Sequence, residues 1–103
     1  MGKSQRTKGA EWEREIARWW QKMGWKDAKR NLNQYQERDG RDIKNTEPYC
    51  PQCKVGQHIS LLEAYKEAKE AAGDKEIALV QFKYDREEPM VLMSLEDFAW
   101  LIK

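Results

Sequence analysis

The stretches Gly40-Arg41-Asp42-Ile43 and Cys50-Pro51-Gln52-Cys53-Lys54-Val55 hold the residue types and the spacing for chemistry. An acidic residue on one short apolar strand, then a polar-x-Lys on the next, sets an oxygen ligand for a hard cation beside an ammonium. Phosphodiester hydrolysis uses that pair: the cation polarises the phosphate, and the lysine neutralises the charge that develops on it. The middle ligand is Gln52, where a carboxylate is the usual choice. Such a site begins one negative charge short.

The elements that must position these residues follow from hydrophobic periodicity. Trp12, Ile16, Trp19, Trp20 and Met23 recur at helical spacing, which predicts a first helix over 10–23 closed by Gly24. Glu13 falls at the edge of that stripe. A first strand is expected within 25–35, a turn over 36–40, and a short second strand over 41–44. After a turn at 45–48, the alternation in 49–55 places Tyr49, Cys53 and Val55 on one face and Cys50, Gln52 and Lys54 on the other. Pro51 cannot donate to a ladder, which predicts a bulge or an unpaired residue there. Ser60 with Glu63 has capping-box spacing and opens a second helix whose stripe is Leu61, Leu62, Tyr65, Ala68 and Ala72, ended by Gly73-Asp74. A strongly apolar strand over 77–84, a charged turn over 85–89 and a strand over 90–93 come next. Ser94 with Asp97 repeats the capping pattern for a last helix carrying Leu95, Phe98, Leu101 and Ile102. The order α-β-β-β-α-β-β-α predicts an α/β (α+β) fold, a central mixed sheet flanked by helices.

Bulk composition bounds the rest. The 103 residues suit one small domain, 1–103, with a modest core and a basic, flexible stretch over 1–8. Five Trp supply much of the core volume and suit an oligomer interface. The net charge of +1 hides an asymmetry: residues 1–54 hold 13 Lys and Arg against 8 Asp and Glu, and residues 55–103 hold 6 against 10. The basic half also carries the candidate site, as expected of a face turned towards a polyanion. The plain alternative is a solvated surface with chance clustering. No apolar run is long enough for a bilayer, and the N-terminus lacks the apolar core of a signal peptide. With two cysteines, these features predict a protein of the reducing cytoplasm.

The order of a helical glutamate, an Asp strand, a polar-x-Lys strand and a helix resembles the PD-(D/E)xK nuclease superfamily. More narrowly, Lys8-Gly9-Ala10-Glu11-Trp12-Glu13-Arg14-Glu15 is similar to the opening of archaeal-type Holliday-junction resolvases, in which a Lys-Gly precedes a Glu-Arg-Glu. The resemblance covers most of the chain and implies a restriction-endonuclease-like core. Carried over, it implies a catalytic set of Glu13, Asp42, Gln52 and Lys54. Mg2+, or Mn2+ in its place, would be held by Glu13, Asp42, Gln52 and the Cys53 backbone carbonyl. Lys54 would orient the nucleophilic water or stabilise the phosphorane-like transition state. Arg6, Lys8, Arg14, Lys29, Arg30 and Arg41 would bind DNA phosphates without reading sequence. Arg41 stands where the family most often has proline, a position that holds no ligand. Gln52 replaces the family's Glu or Asp, although some branches use Gln-x-Lys and are active.

Each residue also has an ordinary structural explanation: Glu13 as a surface helix carboxylate, Asp42 as a strand-end Asp, Lys54 as an edge lysine. Their joint order favours the site. Cys50 and Cys53 could begin a zinc site, but zinc takes four ligands and only His58 is left to join them. The expectation is a core Cys53, an incidental Cys50 and a loop His58. The function expected is structure-selective DNA endonuclease activity that resolves four-way junctions by paired symmetric nicks. The partners are branched double-stranded DNA and a second copy in a homodimer, with no membrane and no organic cofactor. Alternatives are another DNA nuclease of the superfamily, phage or restriction-like, and a non-catalytic DNA-binding module that retains the fold.

Overall fold

The structure, a computed structural model, describes residues 2–32 and 40–103, with side chains from residue 7 onward. The expected turn over 36–39, the end of the first expected strand over 33–35 and the side chain of Arg6 lie outside the described residues. The elements are α1 (Gly2–Lys22), β1 (Lys29–Arg30), β2 (Ile43–Lys44), β3 (Tyr49–Gly56), α2 (Leu61–Ala71), β4 (Ile77–Tyr84), β5 (Met90–Leu92) and α3 (Leu95–Leu101). Their order is the one the periodicity predicts, in a mixed α/β fold.

β3 and β4 pair in parallel through the crossover helix α2, and β5 adds to β4 antiparallel, giving the order β3-β4-β5. β1 and β2 form a separate antiparallel pair. Strand alternation then sorts the core into two layers. Trp12, Ile16, Ala17 and Trp20 of α1 bury with Ala28, Ile43, Cys53 and Leu79, and Tyr49 and Val55 pack against them. On the opposite face, Ala64 of α2 buries with Val80 and Phe82 of β4. Helices thus cover both faces of the sheet.

Gln81, a buried polar residue within the apolar run of β4, has a specific task. Trp20 Nε1 donates to its side-chain oxygen at 2.6 Å and Trp12 Nε1 donates to its backbone carbonyl at 3.1 Å. Both indoles can therefore bury without stranding an N–H. Trp25 stacks edge-on against Trp20 and donates to the Glu47 carbonyl.

Several boundaries differ from the sequence expectation. α1 begins at Gly2, through the segment expected to be flexible, because Lys3, Gln5, Arg6 and Lys8 are unbranched and support a helix. It ends before Gly24, whose φ of +122° is open to glycine and strained for other residues. Trp19 and Met23 lie on the expected stripe yet stay exposed, lining an open cleft with Met90, Val91 and Leu101. β1 is two residues long, and 25–28 is turn, held by Trp25 N–H to the Trp20 carbonyl and Ala28 N–H to the Trp25 carbonyl. Leu62 is exposed and Ala64 replaces it in the stripe, since Leu62 points to nearly the opposite side of α2.

Pro51 causes no bulge: the β3–β4 register runs unbroken from Tyr49↔Ile77 to Gly56↔Tyr84. Cys53 N–H points away from β4, to Asp42. Pro51 has the same parity, so its missing N–H faces the open edge, where no ladder bond is lost. The two expected caps also part company. Ser94 has the extended ψ of 150° that an N-cap needs, and its Oγ accepts from Asp97 N–H at 3.0 Å. Ser60 has ψ of 86°, and its side chain makes no cap hydrogen bond.

Candidate active site

The site lies along the open edge of β3, where α1, β2 and α2 meet it. Asp42 immediately precedes β2 and is buried. Asn31 fixes its backbone: Asn31 N–H donates to the Asp42 carbonyl at 2.9 Å, and Asn31 Nδ2 donates to the Arg41 carbonyl at 2.9 Å. Asp42 Oδ2 in turn accepts from Cys53 N–H at 2.8 Å. This bond seats the carboxylate between Gln52 and Lys54, the two side chains that the alternation sends to the α2 face. In an extended strand a residue's N–H and C=O point the same way, so the Cys53 carbonyl also faces the edge that carries Asp42.

Burial pushes Asp42 up to about 6. The Cys53 N–H and the Lys54 charge act downward on it, while Glu13 and Glu67 act upward. Two more carboxylates and one ammonium are therefore within electrostatic reach of Asp42. The Cys53 thiol is pushed well up, first by burial and then by Asp42 and Glu13, as fits an inert core thiol and not a redox nucleophile. Neither cysteine forms a disulfide and both are buried; Cys50, expected to be incidental, is fully enclosed in the interior.

Glu13 is half-buried on α1, and its Oε1 accepts from Arg30 Nε at 3.0 Å. The expected metal ligand and an expected phosphate contact are thus paired with each other. Arg41 forms two hydrogen bonds with Glu76, at 3.0 and 3.1 Å, and donates to the Ala71 carbonyl. Glu76 is held below its usual range first by that arginine. The Arg41 guanidinium therefore ties β2 to the end of α2 and the start of β4. Lys8 pairs with Asp85 at 2.8 Å. Arg14 and Lys29 are exposed. His58 lies in a small cleft with Lys54, Ser60 and Glu67, where β3 runs into α2.

The residue that sequence reasoning missed is Glu67. Its Oε2 accepts from Gln52 Nε2 at 2.8 Å and forms an ion pair with Lys54 Nζ at 3.2 Å. A signal was present: Ala64 and Ala68 are small and fully buried, so α2 approaches the sheet closely, and Glu67 flanks them at i+3 and i−1. Gln52 is 6% exposed, and with its Nε2 on Glu67 its Oε1 is buried without a hydrogen-bond partner.

Among the described residues, no three His, Cys, Asp or Glu side chains converge as a ready-made metal cage. The donor set nonetheless suits a hard divalent cation: the Asp42 carboxylate, the orphaned Gln52 Oε1 and the outward-facing Cys53 carbonyl are all oxygen. Among the described residues no helix is long and apolar enough to cross a membrane. Comparison with protein-family models, curated proteins and solved structures yields no match for this chain.

Proposed function

We propose that the chain is a metal-dependent DNA endonuclease with a restriction-endonuclease-like core, cutting branched DNA and resolving four-way junctions by paired symmetric nicks. The observation that carries the reading is the bond from Cys53 N–H to Asp42 Oδ2, which seats an Asp carboxylate between the polar residue and the lysine of a polar-x-Lys strand. Mg2+, or Mn2+, would polarise the scissile phosphate and lower the pKa of an attacking water when bound. Asp42, Gln52 Oε1 and the Cys53 carbonyl would hold it, with Glu13 completing the shell after release from Arg30. Lys54 would exchange its contact with Glu67 for the phosphate and stabilise charge as it develops there. Arg14, Lys29 and Lys8 would take flanking phosphates, with His58 beside Lys54 as a further donor.

A homodimer fits a substrate with two symmetric strands to cut. The surface best suited to a second copy is α3, which buries none of its own residues and exposes Phe98, Trp100 and Ile102. The strand over 77–82, also strongly apolar, is interior and covered on both faces. Incubating the protein with a labelled four-way junction and Mg2+ or Mn2+ tests the reading. Paired symmetric nicks, abolished in Asp42→Ala, are expected. Equal cleavage of linear duplex would instead favour another nuclease of the same superfamily, and tight binding without cleavage would favour a non-catalytic module.

A further inference from the structure

The carboxylate that the β3 motif lacks has a counterpart on the helix facing it. Gln52 is a neutral amide at the position where a nuclease strand would carry an acid, and it is more than nine-tenths buried. Its Nε2 and the Lys54 ammonium converge on one oxygen of Glu67, at 2.8 and 3.2 Å. Oε2 thus takes the Gln52 hydrogen bond and the Lys54 ion pair together. Two acceptors are left over: Gln52 Oε1, enclosed and unpartnered, and Glu67 Oε1, which takes no hydrogen bond among the described residues. A carboxylate offers about four lone-pair positions, so Glu67 can keep both donors and still bind outward. Its side chain is half exposed, open enough to turn towards a cation. Excess oxygen acceptors around a buried amide oxygen, with Asp42 across the strand, call for a hard cation as the shared partner.

We propose that Glu67 is a metal ligand of this site, supplying from α2 the negative charge that Gln52 withholds from β3, with Gln52 Oε1 as the neutral ligand beside it. The inference rests on the metal-dependent reading of the site. It explains why a glutamine is tolerated there: the charge is relocated and not lost. It also gives Glu67 a role distinct from anchoring Lys54, since an anchor needs only an acceptor and a ligand needs the charge.

The test is Mn2+ binding to the full chain without DNA, followed by calorimetry, with circular dichroism of each variant as the check on folding. Glu67→Gln keeps an acceptor for Gln52 and Lys54 but removes the charge, and should weaken binding about tenfold or more. Glu63→Gln, one turn away on α2, should bind as the unaltered chain does. Moving the charge back in Gln52→Glu/Glu67→Gln should restore affinity to within about threefold of the unaltered chain. This double variant carries the test if the single one fails to fold. Unchanged Mn2+ affinity in Glu67→Gln, alongside loss of binding in Asp42→Asn, would overturn the role of Glu67 and leave the metal site standing. A double variant that folds yet stays as weak as Glu67→Gln would overturn it too. No binding by the unaltered chain at millimolar Mn2+ would overturn the metal-dependent reading and this inference with it.

Discussion

The two faces of β3 differ in almost every respect. Towards α1, Tyr49, Cys53 and Val55 join a close-packed layer of indoles and aliphatics in which both buried Trp N–H groups find Gln81. Towards α2, Gln52 and Lys54 share one carboxylate oxygen and leave a buried acceptor without a partner. A strand's period of two lets one eight-residue segment hold both arrangements. One face is built to hold the fold, and the other keeps a buried acceptor open, as the proposed metal site would need. Active sites commonly carry such local instability, offset by packing elsewhere.

The largest effect should come from breaking the complete face. Trp20→Ala removes a buried indole that touches Trp19, Trp25, Tyr49 and Gln81, and should cost about 3–5 kcal/mol in urea unfolding. A cost below about 1 kcal/mol would show that this layer is looser than its burial implies.

The incomplete side should respond to pH in the opposite sense from an ordinary salt-bridged Asp. Asp42 has its folded pKa raised to about 6 from 3.8, so between these values the native state binds more protons than the unfolded chain. Stability is therefore full below about pH 4 and falls as pH rises through 6, by roughly 3 kcal/mol for a shift of this size. In metal-free buffer, Asp42→Asn should remove that fall while keeping an oxygen for Cys53 N–H. Parallel pH–stability curves for the two proteins would contradict the assignment.

Gln52→Glu sharpens the contrast further. It removes the donor to Glu67 and sets two carboxylates together, so the metal-free protein should lose about 1–3 kcal/mol. The same change should lower the metal concentration needed for cleavage, because the site gains a charge. Thermal melts without metal measure the first, and junction cleavage titrated with Mn2+ measures the second. A variant more stable than its parent without metal would contradict the arrangement around Glu67.

The smallest pair compares two helix starts. Ser94→Ala removes a cap hydrogen bond at α3 and should cost about 1 kcal/mol. Ser60→Ala, at the start of α2 beside the site, should cost no more than a few tenths, because Ser60 makes no cap bond. Equal costs would mean that Ser60 caps in solution.

Much of this was legible in the sequence because hydrophobic period and turn chemistry are local. The element order, the parity of Gln52 and Lys54 against Cys53, and the Ser94 cap all follow from them. What was not legible depends on contacts between distant segments. Glu67 reads as one more solvated helix carboxylate until α2 is laid against β3. Arg41 reads as a phosphate contact until Glu76, thirty-five residues on, takes its guanidinium. Ser60 and Ser94 share the same spacing signal, and only the backbone angle at each decides which one caps.

The central claim is that the edge of β3 is a phosphodiester-cleaving site organised on Asp42. The most direct test is strand nicking of a labelled four-way junction in Mg2+ or Mn2+, comparing the unaltered chain with Asp42→Asn at matched folded fraction. Paired nicks that fall by about a thousandfold or more in the variant are predicted, as for loss of a group central to transition-state stabilisation. Equal nicking by both proteins, or none by either at any metal concentration, would contradict it.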